Sequence, residues 1–315
     1  MQIFYSDHFV LPLPPGHRFP MSKYALLRER VLASDLAVRA RVPPVATETE
    51  ILRVHTADWL ERVCAGRLTE AEERLIGFPW SEEMVERSLR SSGATVCAAR
   101  AALAEGTSAN LAGGTHHAFA DHGEGFCVFN DVAIAARAMQ AEGRVERVLV
   151  IDCDVHQGNG TAAIFAADPS VYTFSIHGER NYPFCKVCSS LDIGLEDGTA
   201  DAAYLKALSQ GLATAVAAAR ADLAIYVAGA DAYAGDRLGR LGLSMQGLLA
   251  RDRMVFEACA DARLPVAVVM AGGYARVIED TVSIHFHTLE TAAWYCRGAR
   301  GGPSSFGGRS QVAID

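Results

Sequence analysis

The segment that decides the fold class is VLVIDCDVHQGNG, residues 148–160. It begins with four apolar residues, a run typical of a strand that is buried on both faces. Asp152, Asp154 and His156 follow at two-residue spacing, which places their side chains on one side of an extended chain. The segment therefore predicts a buried strand that ends in two carboxylates and an imidazole facing one point.

Strand-like and helix-like segments alternate along the rest of the chain. The predicted strands cover residues 2–5, 108–112, 147–155, 171–177, 222–230 and 265–271. The predicted helices cover residues 93–104, 130–142, 204–219, 244–262 and 283–296. This alternation favours an α/β fold with three αβα layers and a central, mostly parallel sheet. We expect a single catalytic domain over residues 1–300 and, because residues 301–315 are rich in Gly, Ser and Arg, a flexible C-terminal tail.

The composition argues against several classes of protein. A net charge of −8 is unfavourable for direct nucleic-acid binding. No apolar run approaches the roughly 18 residues that span a bilayer, and the N-terminus does not resemble a signal peptide, so we expect a cytoplasmic protein without a membrane span. Of the eight cysteines, Cys185 and Cys188 form a lone Cys-x-x-Cys pair. A closed zinc site needs four ligands, so ordinary loop thiols are the expected interpretation.

A second apolar strand supplies another carboxylate, Asp231, directly after Ala-Gly-Ala. The carboxyl ends of parallel strands share one edge of the sheet, where ligands usually bind. Asp154, His156 and Asp231 would then form a three-ligand site with room for water or substrate, as in catalytic zinc sites; Fe²⁺ or Co²⁺ would fit the same ligands. The alternative is a capping turn in which the acids bind backbone amides.

Two further segments supply candidate catalytic groups. His116 and His117 follow two glycines, and adjacent histidines can divide acid and base roles if their partners differ. Asp152 is available to raise the pKa of one of them. Tyr274 ends a Gly-Gly-Tyr turn after a buried strand, where a phenol could stabilise an oxyanion. Taken singly, the His-His pair and the Gly-Gly-Tyr turn are common structural features.

Together these segments resemble the zinc-dependent histone deacetylase family of the arginase–deacetylase fold, and most closely its class IV branch and bacterial relatives. The matching motifs, in the family's order, are GGTHHA, GFCVFND, DCDVHQGNGT, GADAYAGD and GGY. The resemblance extends from about residue 90 to 293 and implies the roles of individual residues.

The implied zinc ligands are Asp154, His156 and Asp231. The implied catalytic residues are His116, His117, Asp152 and Tyr274. Those implied to line a substrate tunnel are Gly125, Phe126, Tyr182 and Gly273. The resemblance also implies potassium sites formed by Asp152, Asp154, His156, Ser175 and Ile176, and by Phe165, Asp168 and Val171. Where some branches have an aspartate behind the second histidine, this chain has Asn159, so we expect His117 to be readily neutral and the better general base.

The predicted reaction is hydrolysis of an acetyl or longer acyl group on the side-chain amine of lysine, in a protein or peptide. The same machinery would serve acetylpolyamines or other small acylated amines. An arginase-like ureohydrolase would need a second metal and more bridging aspartates. A non-catalytic acyl-lysine-binding protein is the alternative from another class. The sequence leaves the oligomeric state open.

Overall fold

In the described part of the chain, eight strands form one sheet in which every neighbouring pair is parallel, in the order β2-β1-β3-β8-β7-β4-β5-β6. The structure is a computed structural model that describes residues 1–298. The strands are β1 Gln2–Phe4, β2 Arg39–Arg41, β3 Thr107–Asn110, β4 Val148–Asp152, β5 Val171–Gly178, β6 Leu191–Leu195, β7 Leu223–Val227 and β8 Val266–Val269. The predicted parallel α/β sheet is confirmed.

Helices cover both faces of this sheet. They are α1 Ser22–Leu32, α2 Glu48–Leu52, α3 Ala57–Cys64, α4 Glu70–Ile76, α5 Glu82–Glu105, α6 Asp131–Ala141, α7 Asn159–Phe165, α8 Asp201–Ala219, α9 Met245–Asp261 and α10 Ile278–Gly298. Helices α5 and α6 contribute to one hydrophobic core, while α1, α8, α9 and α10 contribute to the other. The three-layer prediction is therefore confirmed.

Strand β4 shows why its apolar run is unbroken. Val148 and Val150 pack into the core that contains α5 and α6, whereas Leu149 and Ile151 pack into the opposite core. All four side chains are almost completely buried. A strand covered on both faces needs apolar residues at every position, so hydrophobic alternation is absent here.

The sequence was less informative about edges and element ends. β2 and β6 are edge strands with alternately exposed residues, so neither forms the continuous apolar run that predicted the central strands. Helix α5 begins at Glu82, well before the predicted residue 93, and its first turns carry charged side chains. β4 ends at Asp152, so Asp154 and His156 lie in the following loop. The predicted tail, residues 301–315, lies outside the described residues.

The helices also bear on membrane insertion. Within residues 1–298, none combines enough length with enough apolar character to cross a bilayer.

Candidate active site

The candidate site lies at the carboxyl edge of the sheet, where the adjacent strands β4, β7 and β8 end. The loop after β4 carries Asp154 and His156, the loop after β7 carries Asp231, and the loop after β8 carries Tyr274. Three loops from neighbouring parallel strands must converge at this edge, which explains how residues distant in sequence come together.

Asp154, His156 and Asp231 form a compact group of possible metal ligands. Nδ1 of His156 lies 2.9 Å from Oδ1 of Asp154 and 3.1 Å from Oδ2 of Asp231. One ligand atom from each residue lies within 4.8 Å of the others, and no other group of three such residues does so within residues 1–298. Two carboxylate oxygens and one imidazole nitrogen are a donor set suited to a divalent metal ion.

Backbone amides fix the orientation of both carboxylates. The amide of Gly272 donates to Oδ2 of Asp154 at 2.8 Å, and the amide of Val155 donates to Oδ1 of Asp231 at 2.9 Å. The second oxygen of each carboxylate is therefore directed at His156. Oδ1 of Asp154 also accepts from the backbone amide of His156 at 3.0 Å, so the capping-turn alternative accounts for both oxygens of Asp154. It does not account for Oδ2 of Asp231, which faces the imidazole.

The electrostatics of this group also fit a cation. Burial raises the pKa of Asp231, and the nearby charge of Asp154 raises it further. Burial lowers the pKa of His156, but hydrogen bonds to Asp154 and Asp231 outweigh it and raise the value to about 10. Two buried carboxylates that share one imidazole are short of positive charge, which a bound divalent ion would supply.

His116 and His117 are adjacent and buried, but they have different partners. Nδ1 of His116 lies 2.7 Å from Oδ2 of Asp152, and Nδ1 of His117 lies 2.7 Å from Oδ1 of Asn159. Burial lowers the pKa of His116, but the charges of Asp152 and Asp154 outweigh it and raise the value to about 9. Burial lowers the pKa of His117 well below its usual value, and the charge of His116 lowers it further.

Glu124 is a member of this network that the sequence did not reveal. The side-chain amide of Asn159 donates to Oε1 of Glu124 at 2.5 Å, while its oxygen faces His117. Burial raises the pKa of the Tyr182 phenol, and the nearby carboxylate of Glu124 raises it further. An aspartate at position 159 would bring a second carboxylate against Glu124, which gives a physical reason for the amide. The only sequence clue was the position of Glu124 directly before Gly125 in the GFCVFND motif.

A cavity of about 660 Å³ connects these groups to the surface. Its wall includes Phe126, whose ring centroid lies 5.2 Å from that of Phe19, and Tyr182, whose ring lies 5.0 Å from that of His117. Gly125 has φ of +56°, and a Cβ there would lie 2.7 Å from the ring of His117, so this wall position requires glycine.

One of the predicted tunnel residues is placed differently. Gly272 lines the cavity and Gly273 does not. A Cβ on Gly273 would instead meet Thr281 and Ala230, behind the wall. The sequence could not separate two consecutive glycines, because the turn that follows β8 decides which of them faces the site.

Tyr274 is buried at the inner part of the cavity, with its ring centroid 6.5 Å from that of His156. Its backbone amide donates to Oδ2 of Asp236 at 2.6 Å. The buried Lys23 donates to the carbonyls of Ala271 and Gly273, at 3.0 and 3.4 Å, and so fixes the same turn. Burial raises the pKa of Tyr274 well above its usual value, which keeps the phenol protonated as a hydrogen-bond donor.

Comparison with known proteins identifies the family. The family described as "Histone deacetylase domain" matches residues 17–289. The chain belongs to the histone deacetylase family. Members of this family act on acylated amines, and family membership places this chain among the hydrolases.

Individual relatives agree with this assignment. This histone deacetylase-family chain is 44% identical to an uncharacterised protein of a Picosynechococcus strain, with 90% of this chain and 95% of the relative covered. It is 32% identical to "Histone deacetylase 2" of Arabidopsis thaliana, with 84% and 73% covered. The crystal structure of a histone deacetylase homologue from Aquifex aeolicus superimposes with a TM-score of 0.78 at 21% identity, over 92% of this chain and 83% of the other. The last match confirms the arginase–deacetylase fold.

The residues predicted to bind potassium in this histone deacetylase-family chain lie in two places. Ser175 is opposite Asp152 in the β4–β5 register, and Ile176 follows it in the buried part of β5. At the second place, a salt bridge of 2.5 Å joins Asp168 to Arg137. The side chain of Asp168 is therefore neutralised, and any cation there would need backbone carbonyls. Both potassium sites stay predictions.

The Cys-x-x-Cys pair lies in the loop between β5 and β6. Cys185 and Cys188 are both exposed and free. The interpretation of this pair as ordinary loop thiols in the histone deacetylase-family domain stays a prediction.

Proposed function

We propose that this protein is a metal-dependent amidohydrolase, with Zn²⁺ as the expected ion, that removes acetyl or longer acyl groups from the side-chain amine of lysine. The observation that carries the proposal is that one cavity is lined by a histidine pair, a tyrosine and two candidate metal ligands, with the third candidate ligand, Asp231, directly behind them. We propose Asp154, His156 and Asp231 as the metal ligands. Fe²⁺ or Co²⁺ would suit the same three residues.

The histidines divide the proton transfers in this proposal. A divalent ion at the three ligands would polarise the amide carbonyl and lower the pKa of a water molecule. His117, kept neutral by its burial, accepts the proton of the attacking water and returns it to the departing amine. His116, kept charged by Asp152, supports the negative charge that develops at the reaction centre.

Tyr274 completes the proposed machinery. Its protonated phenol donates a hydrogen bond to the oxygen of the substrate carbonyl as negative charge develops there. The turn that carries it is fixed by Lys23 and Asp236, so the donor is oriented before substrate arrives. Preorganised donors of this kind avoid the reorganisation that water would require.

The wall of the cavity suits a thin aliphatic chain. Phe126 and Tyr182 flank the passage to His117 and Tyr274. The four-carbon stem of an acyl-lysine fits such a passage, as does the stem of a small acylated amine. A second metal cluster of the kind that an arginase-like ureohydrolase requires is absent from residues 1–298. A protein that only binds acyl-lysine would have no need of two histidines with opposite pKa shifts.

The test is a deacylase panel on metal-analysed protein, with and without chelator. Acetyl-, decanoyl- and myristoyl-lysine peptides are compared with N-acetylputrescine. We expect turnover of the lysine substrates that is lost with chelator and restored by Zn²⁺. Asp231→Asn should abolish turnover, whereas Asp58→Asn, an exposed aspartate outside the cavity, should not. Binding of acyl-lysine without turnover by the zinc-loaded protein would contradict the proposal, and turnover of acetylputrescine alone would favour the small-amine alternative.

A further inference from the structure

The mouth of the cavity has a charge opposite to that of the whole protein. Although the chain has a net charge of −8, six arginines of the described residues, 1–298, line the cavity. Within that same range the only acidic residue in the lining is Asp154, which belongs to the metal-ligand group. We call the five exposed arginines the arginine rim: Arg18, Arg74, Arg180, Arg237 and Arg240. The sixth, Arg87, is buried.

The arginine rim is assembled from four separate parts of the chain. Arg18 precedes α1, Arg74 lies in the last turns of α4, and Arg180 follows β5. Arg237 and Arg240 lie in the loop between β7 and α9. If the arginines were only the solvated face of one helix, they would all lie on that helix. Instead, four separate segments place arginines around one opening.

Few acids neutralise the arginine rim. Arg74 pairs with Glu70 at 3.2 Å and Arg240 pairs with Asp197 at 3.1 Å, both near the surface. Arg18, Arg180 and Arg237 form no salt bridge with any residue in the described part of the chain, so three of the five charges lack an acidic partner. Exposed pairs contribute little energy, and their partner acids do not line the cavity.

The loops that carry the rim are joined to one another. The guanidinium of Arg237 donates to the carbonyls of Tyr274 and Arg18, at 3.0 and 3.4 Å. The backbone amide of Arg240 donates to the side chain of Asn181 at 3.2 Å, and Asn181 donates to the carbonyl of Leu238 at 2.8 Å. These bonds hold the loops in fixed relative positions, so the positive charges face the opening together.

We propose that the arginine rim selects substrates that are anionic outside the tunnel. The proposal rests on the proposed function: the acyl-amine stem enters the cavity and the remainder of the substrate meets the rim. Guanidinium groups bind carboxylates in bidentate geometry, and a cleft lined by one sign of charge raises the local concentration of the opposite charge. The carboxylates could be Asp or Glu side chains flanking an acyl-lysine, or the α-carboxylate of free N-ε-acyl-lysine. Acetylpolyamines, whose remaining amines are cationic, are disfavoured.

The experiment compares kcat/KM for matched acetyl-lysine peptides whose flanking residues are Asp and Glu, Gln, or Lys. A second set of substrates contains free N-ε-acetyl-lysine, its α-amide and N-acetylputrescine. This set shows whether the rim binds acidic side chains of a peptide or the α-carboxylate of free acetyl-lysine. We expect the acidic peptide to exceed the basic peptide by at least about tenfold at low ionic strength. The difference should diminish as salt screens the charges.

Variants identify the rim as the cause. Arg18→Gln and Arg180→Gln should each reduce the preference for the acidic peptide, chiefly through KM, and Arg180→Glu should reduce it more strongly than Arg180→Gln. Arg53→Gln changes an exposed arginine outside the cavity and should leave the preference unchanged. Because these rim residues are exposed, the variants should fold; thermal unfolding provides the check.

The outcomes separate this inference from the function on which it rests. Equal kcat/KM for acidic, neutral and basic peptides would overturn the inference and leave the deacylase proposal intact. A preference that persists in all rim variants would also overturn it, because the selectivity would then originate elsewhere. Absence of turnover with every peptide, by protein that contains stoichiometric zinc, would overturn the proposed function and this inference with it.

Discussion

His116 and His117 are neighbours in the chain, and their contacts give them opposite properties. The carboxylate of Asp152 faces one ring and the amide oxygen of Asn159 faces the other. A carboxylate stabilises an imidazolium far more than an amide does. Burial therefore keeps the pKa of His117 low, whereas at His116 the carboxylate outweighs burial and raises the pKa. The sequence predicted this difference from the identity of residue 159. It did not reveal Glu124, which binds the other end of the amide.

The substitution Tyr274→Phe tests the role of another single residue, the oxyanion donor. Loss of the phenol should lower kcat by about 10²–10³, because one preorganised hydrogen bond to the developing charge is removed. Metal content should be unchanged, since Tyr274 is not among the proposed ligands. Tyr172→Phe, on β5 and outside the cavity, is the matched control. A loss below threefold in Tyr274→Phe with metal retained would contradict the role.

The loops after β4, β7 and β8 are the elements that make the site. Their acidic and histidine residues were predictable, because polar residues that directly follow buried apolar runs lie at one edge of a parallel sheet. Contacts between segments distant in sequence were not predictable in this way. Lys23 reaches the turn after β8 from α1, and the five residues of the arginine rim come from four segments. No local pattern encodes such contacts, since they depend on how loops pack after the sheet has formed.

Gly272→Ala tests the turn after β8. A Cβ at Gly272 would lie 1.9 Å from Oδ2 of Asp231 and 2.7 Å from Oδ2 of Asp154, so the proposed metal ligands would have to move. We expect the variant to fold but to bind zinc at least about tenfold more weakly, because displaced ligands and strain of order 1–3 kcal/mol oppose the metal geometry. The measurement is zinc content together with competition against a chelator.

The control for this prediction is Gly143→Ala. Gly143 has a positive φ, +64°, which Gly272 does not have, but no heavy atom would lie within 4 Å of its new Cβ. It should therefore lose some stability from backbone strain alone and keep its zinc affinity. Equal zinc affinity in Gly272→Ala and the unmodified protein would show that the turn can relax, and the close-approach argument would fail.

At the scale of the whole molecule, burial decided which elements the sequence could predict. The central strands β4, β7 and β8 are covered on both faces, so their apolar runs identify them without ambiguity. The edge strands β2 and β6 lack this property and were missed. The layered fold was therefore accessible from the sequence, while the extent of each element depended on tertiary contacts that propensity does not report.

Metal binding should stabilise the whole molecule in a pH-dependent way. The pKa of His156 is about 10 in the metal-free site, so at any lower pH the imidazole holds a proton that the ion must displace. The raised pKa of Asp231 acts in the same direction. Each unit of falling pH should thus weaken zinc binding by about tenfold through His156 alone, which removes about 1.4 kcal/mol of metal-derived stability, and by more where Asp231 also binds a proton.

The measurement is Tm with and without excess Zn²⁺ at a series of pH values between about 6 and about 8. We expect zinc to raise Tm at each pH and to raise it most at the highest pH, because the competing proton is then scarcest. Asp231→Asn removes a proposed ligand and should show little zinc-dependent change at any pH, which separates binding at this site from binding elsewhere. A zinc-induced rise in Tm that is the same across the series would mean that no proton is displaced, and His156 could not then be the nitrogen ligand.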